Sequence, residues 1–273
     1  MSIKSAVRKY TPRSIWSAAS AAKSTLLDIV SPQQGLAPPR SMNFVGSGDF
    51  RVIGQEFLGH LQNLCQLKPS ERVLDLGCGI GRMAIPLTQY LTAGSYEGID
   101  IVPQGIEWCK KNITPRFPRF QFHLADIRNR EYNPHGPIEA AHYILPFLDS
   151  SFDVAFLTSV FTHMTQRDIE NYMRELRRVL RPSGRLLSTW FALNQESENL
   201  ISSGKSAINA IYPVGFSKTS NANIPEEAIA HPEPFITRVH TENGLVIKST
   251  HYGSWCGRSS FLSMQDIYVA SQS

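Results

Sequence analysis

The sequence predicts an α/β fold: a mostly parallel sheet with helices on both faces. Three observations predict it. Short apolar runs alternate with segments of helical period from residue 53 to residue 191. The run at residues 152–160 is apolar almost throughout, as a strand covered on both faces must be. The first apolar run ends in Asp75 and is followed by Gly77, Gly79 and Gly81, a turn that lets a strand pass into a helix while a ligand approaches the backbone.

The elements follow in order. Residues 1–40 form a basic tail and linker, with six basic residues and one acid. Up to Lys23 the tail is Ser- and Ala-rich and free of acids. It reads as a lead-in helix packed on the domain, as a segment in weak contact with a membrane surface, or as a targeting peptide. Pro32, Gly35, Pro38 and Pro39 mark the linker. A Gly-rich stretch at 44–50 is a candidate lid. Ile53, Phe57, Leu58, Leu61 and Leu64 have helical spacing, and Pro69 ends that helix. Residues 72–76 read as a strand, and a helix starts near Arg82. Residues 96–101 are a strand, 104–112 a helix, and 120–125 and 152–160 two further strands. Thr165 and Asp168 form a capping box. Behind it Ile169, Tyr172, Met173, Leu176, Val179 and Leu180 make one stripe. Pro182 and Gly184 stop the helix, and residues 185–191 are a fifth strand. Residues 192–235 are polar and read as an insertion. Residues 245–253 and 261–270 read as a closing antiparallel hairpin.

Composition narrows the function classes. The body outside residues 1–40 holds 21 basic and 22 acidic residues. It lacks the basic face of a nucleic-acid enzyme, so no nucleic-acid partner is expected. No apolar run reaches the ~18 residues of a membrane span. Cys65, Cys78, Cys109 and Cys256 show no metal-like spacing, so no metal is expected and the thiols read as reduced in a cytoplasmic protein.

The glycine loop sits where open parallel sheets bind ligands, beyond the carboxyl ends of the strands. Its spacing is G-x-G-x-G, not the G-x-G-x-x-G of a dinucleotide site. Asp75, two residues before the first glycine, would repel a pyrophosphate and suits a cationic ligand. Asp100 ends the second strand, where an acid takes ribose hydroxyls. Asp126 ends the third, where it accepts from an adenine amino group or caps a turn.

Asp75 to Gly81, Glu97-Gly98-Ile99-Asp100, Leu124-Ala125-Asp126 and Ser151-Phe152-Asp153-Val154 together resemble the class I, seven-stranded S-adenosylmethionine-dependent methyltransferases. The resemblance covers residues 50–191 and implies a three-layer αβα sandwich for residues 41–273. It implies strand order 3-2-1-4-5-7-6 with strand 7 antiparallel, and an insertion after strand 5 at about 192–235. It implies S-adenosyl-L-methionine as cofactor and S-adenosyl-L-homocysteine as product. Gly77, Cys78, Gly79 and Gly81 would then line the methionine end, with Cys78 a space-filler. Asp75 would act on the amino group directly or through water. Asp100 would hold the ribose, Ile101 and Ile127 would flank the adenine or else belong to the core, and Asp126 would face its edge. Ser159, past the fourth strand, joins the same set.

The acceptor is less legible. The fourth strand ends Thr158-Ser159-Val160-Phe161-Thr162-His163-Met164, without the Asn-Pro-Pro-aromatic signature of enzymes that methylate base or amide nitrogens. His163 is the candidate base, because a hydroxyl acceptor needs one; otherwise it orients the loop. Tyr212, Phe216 and Phe235 in the insertion, and His251, Tyr252, Trp255 and Arg258 at the hairpin, are candidates to contact the acceptor or to pack the structure. Residues 132–136 are expected at the rim. The pattern points to O-methylation of a small molecule or of a sugar or glycan hydroxyl. The competing reading is an RNA or protein methyltransferase that docks through the basic tail.

Overall fold

The computed structural model describes residues 35–44 and 48–272, together with Ser24 and Asp28. The chain divides into two compact units, residues 1–48 and 49–273. In the first, a short 3-10 turn, Arg40–Met42, is held by Asp28. Its carboxylate accepts from the amides of Arg40 and Ser41 at 2.8 and 3.0 Å. The basic tail to Lys23 and the centre of the expected lid, residues 45–47, lie outside the described residues.

The second unit is built on seven strands. They are β1 Arg72–Leu76, β2 Ser95–Asp100, β3 Phe120–Leu124, β4 Phe152–Leu157, β5 Leu180–Trp190, β6 Leu245–His251 and β7 Asp266–Gln272. Their order across the sheet is β3-β2-β1-β4-β5-β7-β6. The pairs β1–β2, β2–β3, β1–β4 and β4–β5 are parallel, and β7 runs antiparallel to both neighbours. This is the expected topology. The helices are α1 Phe50–Asn63, α2 Ala84–Tyr90, α3 Pro103–Asn112, α4 Gln166–Val179, α5 Gln195–Ser202 and α6 Glu233–Glu242.

The clearest helix in the sequence is the best anchored. Asp168 Oδ2 accepts from the Thr165 amide at 3.0 Å and from its hydroxyl at 2.6 Å, a cap that contributes about 1 kcal/mol. Ile169, Met173, Leu176 and Val179 are fully buried in the main core, each stabilising the fold by roughly 1.5–3 kcal/mol. The helix stops at Val179 without help from Pro182 or Gly184, because β5 begins at the next residue. The register of β4 on β5 breaks between Phe152 and Val154, and Ser183 has φ of 61°. Pro182 and Gly184 therefore sit in an irregular opening of β5 rather than before it.

Other boundaries move for physical reasons. β4 ends at Leu157 rather than Val160, because Ser159 turns left-handed with φ of 58°. β7 starts at Asp266, not Phe261. Residues 252–265 are a folded loop in which the Ser254 and Trp255 amides donate to the Ser263 and Met264 carbonyls. Phe261 and Leu262 are exposed there, and their apolarity mimicked a strand.

The insertion is structured. Ala192–Leu193, Tyr212–Val214, Ser217–Thr219 and Ile229–Pro232 form a four-stranded sheet of their own. With α5 and the loop after β6 they enclose a second core of Phe191, Leu193, Ile201, Ala210, Ala228, Ala230, Trp255 and Cys256. The helix α6 went unread, although its signals stand in the sequence. Pro232 and Pro234 stand at its start, Phe235, Ile236, Val239 and His240 are its buried face, and Gly244 follows its end.

Candidate functional site

The five parallel strands β1 to β5 end on one edge, where most of the expected residues gather. Gly77, Gly79 and Gly81 all have positive φ, 87°, 56° and 81°. Packing adds a second requirement at two of them. A Cβ on Gly77 would stand 2.3 Å from Val160 Cγ2, and one on Gly81 would stand 2.8 Å from Ile113 Cδ1. These glycines let the end of α3 and the β4 exit close on the loop, as well as letting a ligand approach.

Asp100 ties the loop to β2. Its Oδ2 accepts from the Gly79 amide at 2.7 Å and its Oδ1 from the Val102 amide at 2.8 Å. Each oxygen keeps a lone pair for a further donor. Burial raises its pKa, while the Val102 and Gly79 amides pull it down. Asp75 lies deeper, with 0% of its surface exposed. Tyr96 Oη donates to its Oδ2 at 2.6 Å, and Oδ1 is buried without a hydrogen-bond partner. Burial pushes its pKa up to about 8, opposed by the Tyr96 hydrogen bond. The sequence expects Asp75 to act on a ligand's amino group directly or through water, and its carboxyl lies fully buried. The carboxyl underlies the loop. Cys78 is buried and its thiol pKa is raised well above the ordinary value by that burial, so it fills space.

Ile101 packs half-buried against the main core. Ile127 is a core residue, 3% exposed, and offers its side chain to the interior rather than to a ligand. Asp126 is exposed, and its Oδ1 accepts from Asn133 Nδ2 at 3.0 Å. Ser159 is exposed at the strained β4 exit, and its amide donates to Thr189 Oγ1 at 2.8 Å. An orphaned carboxylate oxygen under a glycine loop, a second carboxylate with free lone pairs and a half-exposed isoleucine fit a ligand that carries an ammonium, a ribose and an adenine.

His163 closes the 3-10 turn Phe161–His163 beyond β4. Its Nδ1 is 2.7 Å from the Glu226 carbonyl oxygen. A carbonyl only accepts, so Nδ1 carries the proton and Nε2 keeps its lone pair. Burial lowers the imidazole pKa from 6.5, against the Glu226 hydrogen bond and the Glu131 and Glu227 charges. The ring is therefore a neutral acceptor at neutral pH.

The insertion is fastened to the same turn. His231 is 0% exposed. Its Nε2–H donates to the Phe161 carbonyl at 3.2 Å, and its Nδ1 accepts from Ser217 Oγ at 2.8 Å. Ser217 in turn accepts from Gln166 Nε2 at 2.8 Å, which also donates to the Val214 carbonyl. The hairpin so held presents Tyr212 and Phe216, 45% and 54% exposed. Phe216 rests on buried Phe235, ring centroids 5.1 Å apart.

Trp255 and Arg258 are corrected. Both are buried around Asp266. Trp255 Nε1 donates to Asp266 Oδ2 at 2.7 Å. Arg258 meets Asp266 at 3.0 Å and Glu196 at 2.8 Å, and lies over the Tyr252 ring. Their polar atoms serve the loop after β6, leaving none for an acceptor. Sequence reasoning missed Asn129, Glu226 and His231. Glu226 acts through its main chain, which no side-chain pattern records. Among the described residues, no three His, Cys, Asp or Glu side chains group to hold a metal, and no helix is long and apolar enough to cross a membrane.

Residues 74–188 match the methyltransferase domain family. Methyltransferase GfsG of Streptomyces halstedii is 31% identical over 135 residues, 49% of this chain and 42% of that protein. A phthiotriol/phenolphthiotriol dimycocerosates methyltransferase of Mycobacterium leprae is 32% identical over 116 residues, 42% of this chain and 36% of that protein. The chain thus spans less than half the length of these curated relatives. A crystal structure of a SAM-dependent methyltransferase from Methanosarcina mazei superposes with a TM-score of 0.53 at 21% identity, over 77% of this chain and 97% of that one. That likeness shows the fold.

Proposed function

We propose, on the premise that this chain carries a class I, Rossmann-like S-adenosylmethionine-dependent methyltransferase domain, that it methylates a hydroxyl group of a small molecule or sugar with His163 as the base. The tautomer of His163 carries this reading. Its Nδ1–H is committed to the Glu226 carbonyl, so the lone pair on Nε2 is the one available to take a proton.

The cofactor supplies an electrophilic methyl group. The chain's residues do the rest. Asp100, with a lone pair left on each oxygen, holds the ribose hydroxyls. Asp75 keeps an unpartnered carboxyl oxygen, Oδ1, beneath the glycine loop, on the side of the ligand's ammonium. Gly79 and Gly81 let that end approach the backbone. Asp126, Ile101 and Ser159 border the adenine and the donor. With the cofactor bound, the acceptor hydroxyl would give its proton to Nε2 and its oxygen would bond the methyl carbon as that carbon's bond to sulfur breaks, leaving S-adenosylhomocysteine. Tyr212 and Phe216 offer exposed aromatic surface for the acceptor's apolar part. The mycobacterial relatives are named for phthiotriol and phenolphthiotriol dimycocerosates, neither nucleic acid nor protein.

The test is label transfer from methyl-labelled S-adenosylmethionine into fractions of a cell extract, with wild type and His163→Ala. Label should enter a small-molecule or glycan fraction. The variant should bind S-adenosylhomocysteine as wild type does and lose about 10²-fold or more in turnover. Unchanged turnover removes His163 as the base. Label confined to RNA or protein replaces the acceptor class.

A further inference from the structure

The loop at residues 129–133 meets the site at both ends through two asparagines. Asn129 Nδ2 donates to the main-chain carbonyl of His163 at 3.1 Å, and its Oδ1 accepts from the Glu131 and Tyr132 amides, both at 3.0 Å. The turn so formed lays Tyr132 edge-on to the His163 ring, with centroids 5.4 Å apart at 88°. Asn133 Nδ2 donates to Asp126 Oδ1 and to the Ile127 carbonyl, each at 3.0 Å. The main chains of Asn129 and Asn133 exchange a hydrogen-bonded pair, 3.0 and 2.9 Å.

Resting on the reading of His163 as base, we propose that Asn129 is a positioning residue for it. Its amide N–H fixes the main chain that carries the imidazole, and its carbonyl builds the turn that sets Tyr132 against the ring.

The physics favours an outside clamp. His163 sits in a single 3-10 turn, whose closing bonds are His163 N to Val160 O at 2.9 Å and Met164 N to Phe161 O at 3.4 Å. One such turn is marginal alone. Contacts from other elements define where it stands, among them His231 on the Phe161 carbonyl. The insertion holds the ring through the Glu226 carbonyl, and Asn129 holds the backbone through His163 O. A base displaced by 1 Å can cost about 10²-fold in rate, so these contacts bear on its placement. The charged groups that act on the imidazole are Glu131 on the same loop and Glu227 on the insertion. Tyr132 supplies the ring edge.

The experiment uses the full chain with 15N-labelled histidine, and S-adenosylhomocysteine as the binding probe. His163→Ala assigns the resonance. Asn129→Ser keeps a neutral side-chain oxygen able to accept from the Glu131 and Tyr132 amides, as serine does in such turns, and takes away the amide donor to His163 without adding a charge. Wild type should show the Nδ1–H tautomer, titrating below 6.5. In Asn129→Ser the tautomers should mix and the midpoint should rise by about half a unit or more as the ring gains water. The His231 and His240 signals should stay in place, and S-adenosylhomocysteine affinity should stay within about twofold of wild type. An unchanged His163 tautomer and midpoint overturns the proposal. So does a shift of all three histidines together, which would mark general loosening. Failure of wild type to bind S-adenosylhomocysteine would sink the methyltransferase reading and leave the Asn129 result to stand on its own signals.

Discussion

Replacing Asp75 by asparagine should change how stability depends on pH. The wild-type carboxyl is fully buried, with one oxygen on Tyr96 Oη and the other unpartnered. Burial raises its pKa from 3.8 to about 8. Between those values the folded chain keeps a proton that the unfolded chain has released. Stability from this group is therefore full below 3.8 and is lost as pH rises toward 8. The loss is about 1.4 kcal/mol per pH unit, so about 2.7 kcal/mol between pH 5 and pH 7. Asparagine cannot titrate and lacks that slope. It adds an amide N–H where Oδ1 has no partner, costing roughly 1–3 kcal/mol, but that cost is the same at both pH values. The buried Asp100 and the histidines titrate alike in both proteins and cancel in the difference. Urea unfolding at pH 5, 6 and 7 measures it. Relative to wild type, the variant should gain about 2.7 kcal/mol over that range, about 1 M in midpoint. Parallel curves would mean that Asp75 ionises in the fold as it does in the open chain, and the account of a neutral carboxyl under the loop would fail.

Two further outcomes test the rest of the architecture. Arg258→Ala leaves Asp266 buried without its cation and should cost about 3–5 kcal/mol, nearer the lower end, because the Ala192, Gly253 and Trp255 N–H groups still donate to it. S-adenosylhomocysteine affinity of the folded fraction, by calorimetry, should be unchanged, and a selective loss of binding would restore Arg258 to the mouth of the site. Burial lowers His240 to about 4. Its contribution is therefore lost as pH falls through 6.5 toward 4, and His240→Phe should remove about 1.4 kcal/mol per unit of that acid slope. Thermal melts in which wild type and variant decline equally would show that His240 is not held neutral.

Much of this molecule was legible because its main rules are local. β1 was bounded by its own apolar run and by Asp75, and α4 by the Thr165–Asp168 cap and a stripe of core residues. The glycine loop announced its position by spacing. What escaped was set by distant partners. Trp255 and Arg258 looked like a binding pair because aromatic and guanidinium groups stood together in a short link. Only the fold brings Asp266 and Glu196 to them and uses up their hydrogen-bonding capacity. Ile127 was open to two readings, adenine wall or core, and its pairing with Ile138 beyond β3 leaves it buried in the core. Phe261 and Leu262 carried a strand's composition without a strand's partners. The role of Asn129 depended on contact with a residue 34 positions away.

The contact between Glu226 and His163 has a consequence for how this domain can vary. The Glu226 side chain takes no part in it; the peptide carbonyl does. Any residue at position 226 presents the same oxygen, so drift in side chains there leaves the histidine's protonation pattern untouched. Only a change in the path of the backbone can break the contact, and that path is held by Ser217, Gln166 and His231. The exposed aromatics of the hairpin are thus open to exchange, while the histidine's tautomer is kept by atoms that every amino acid shares.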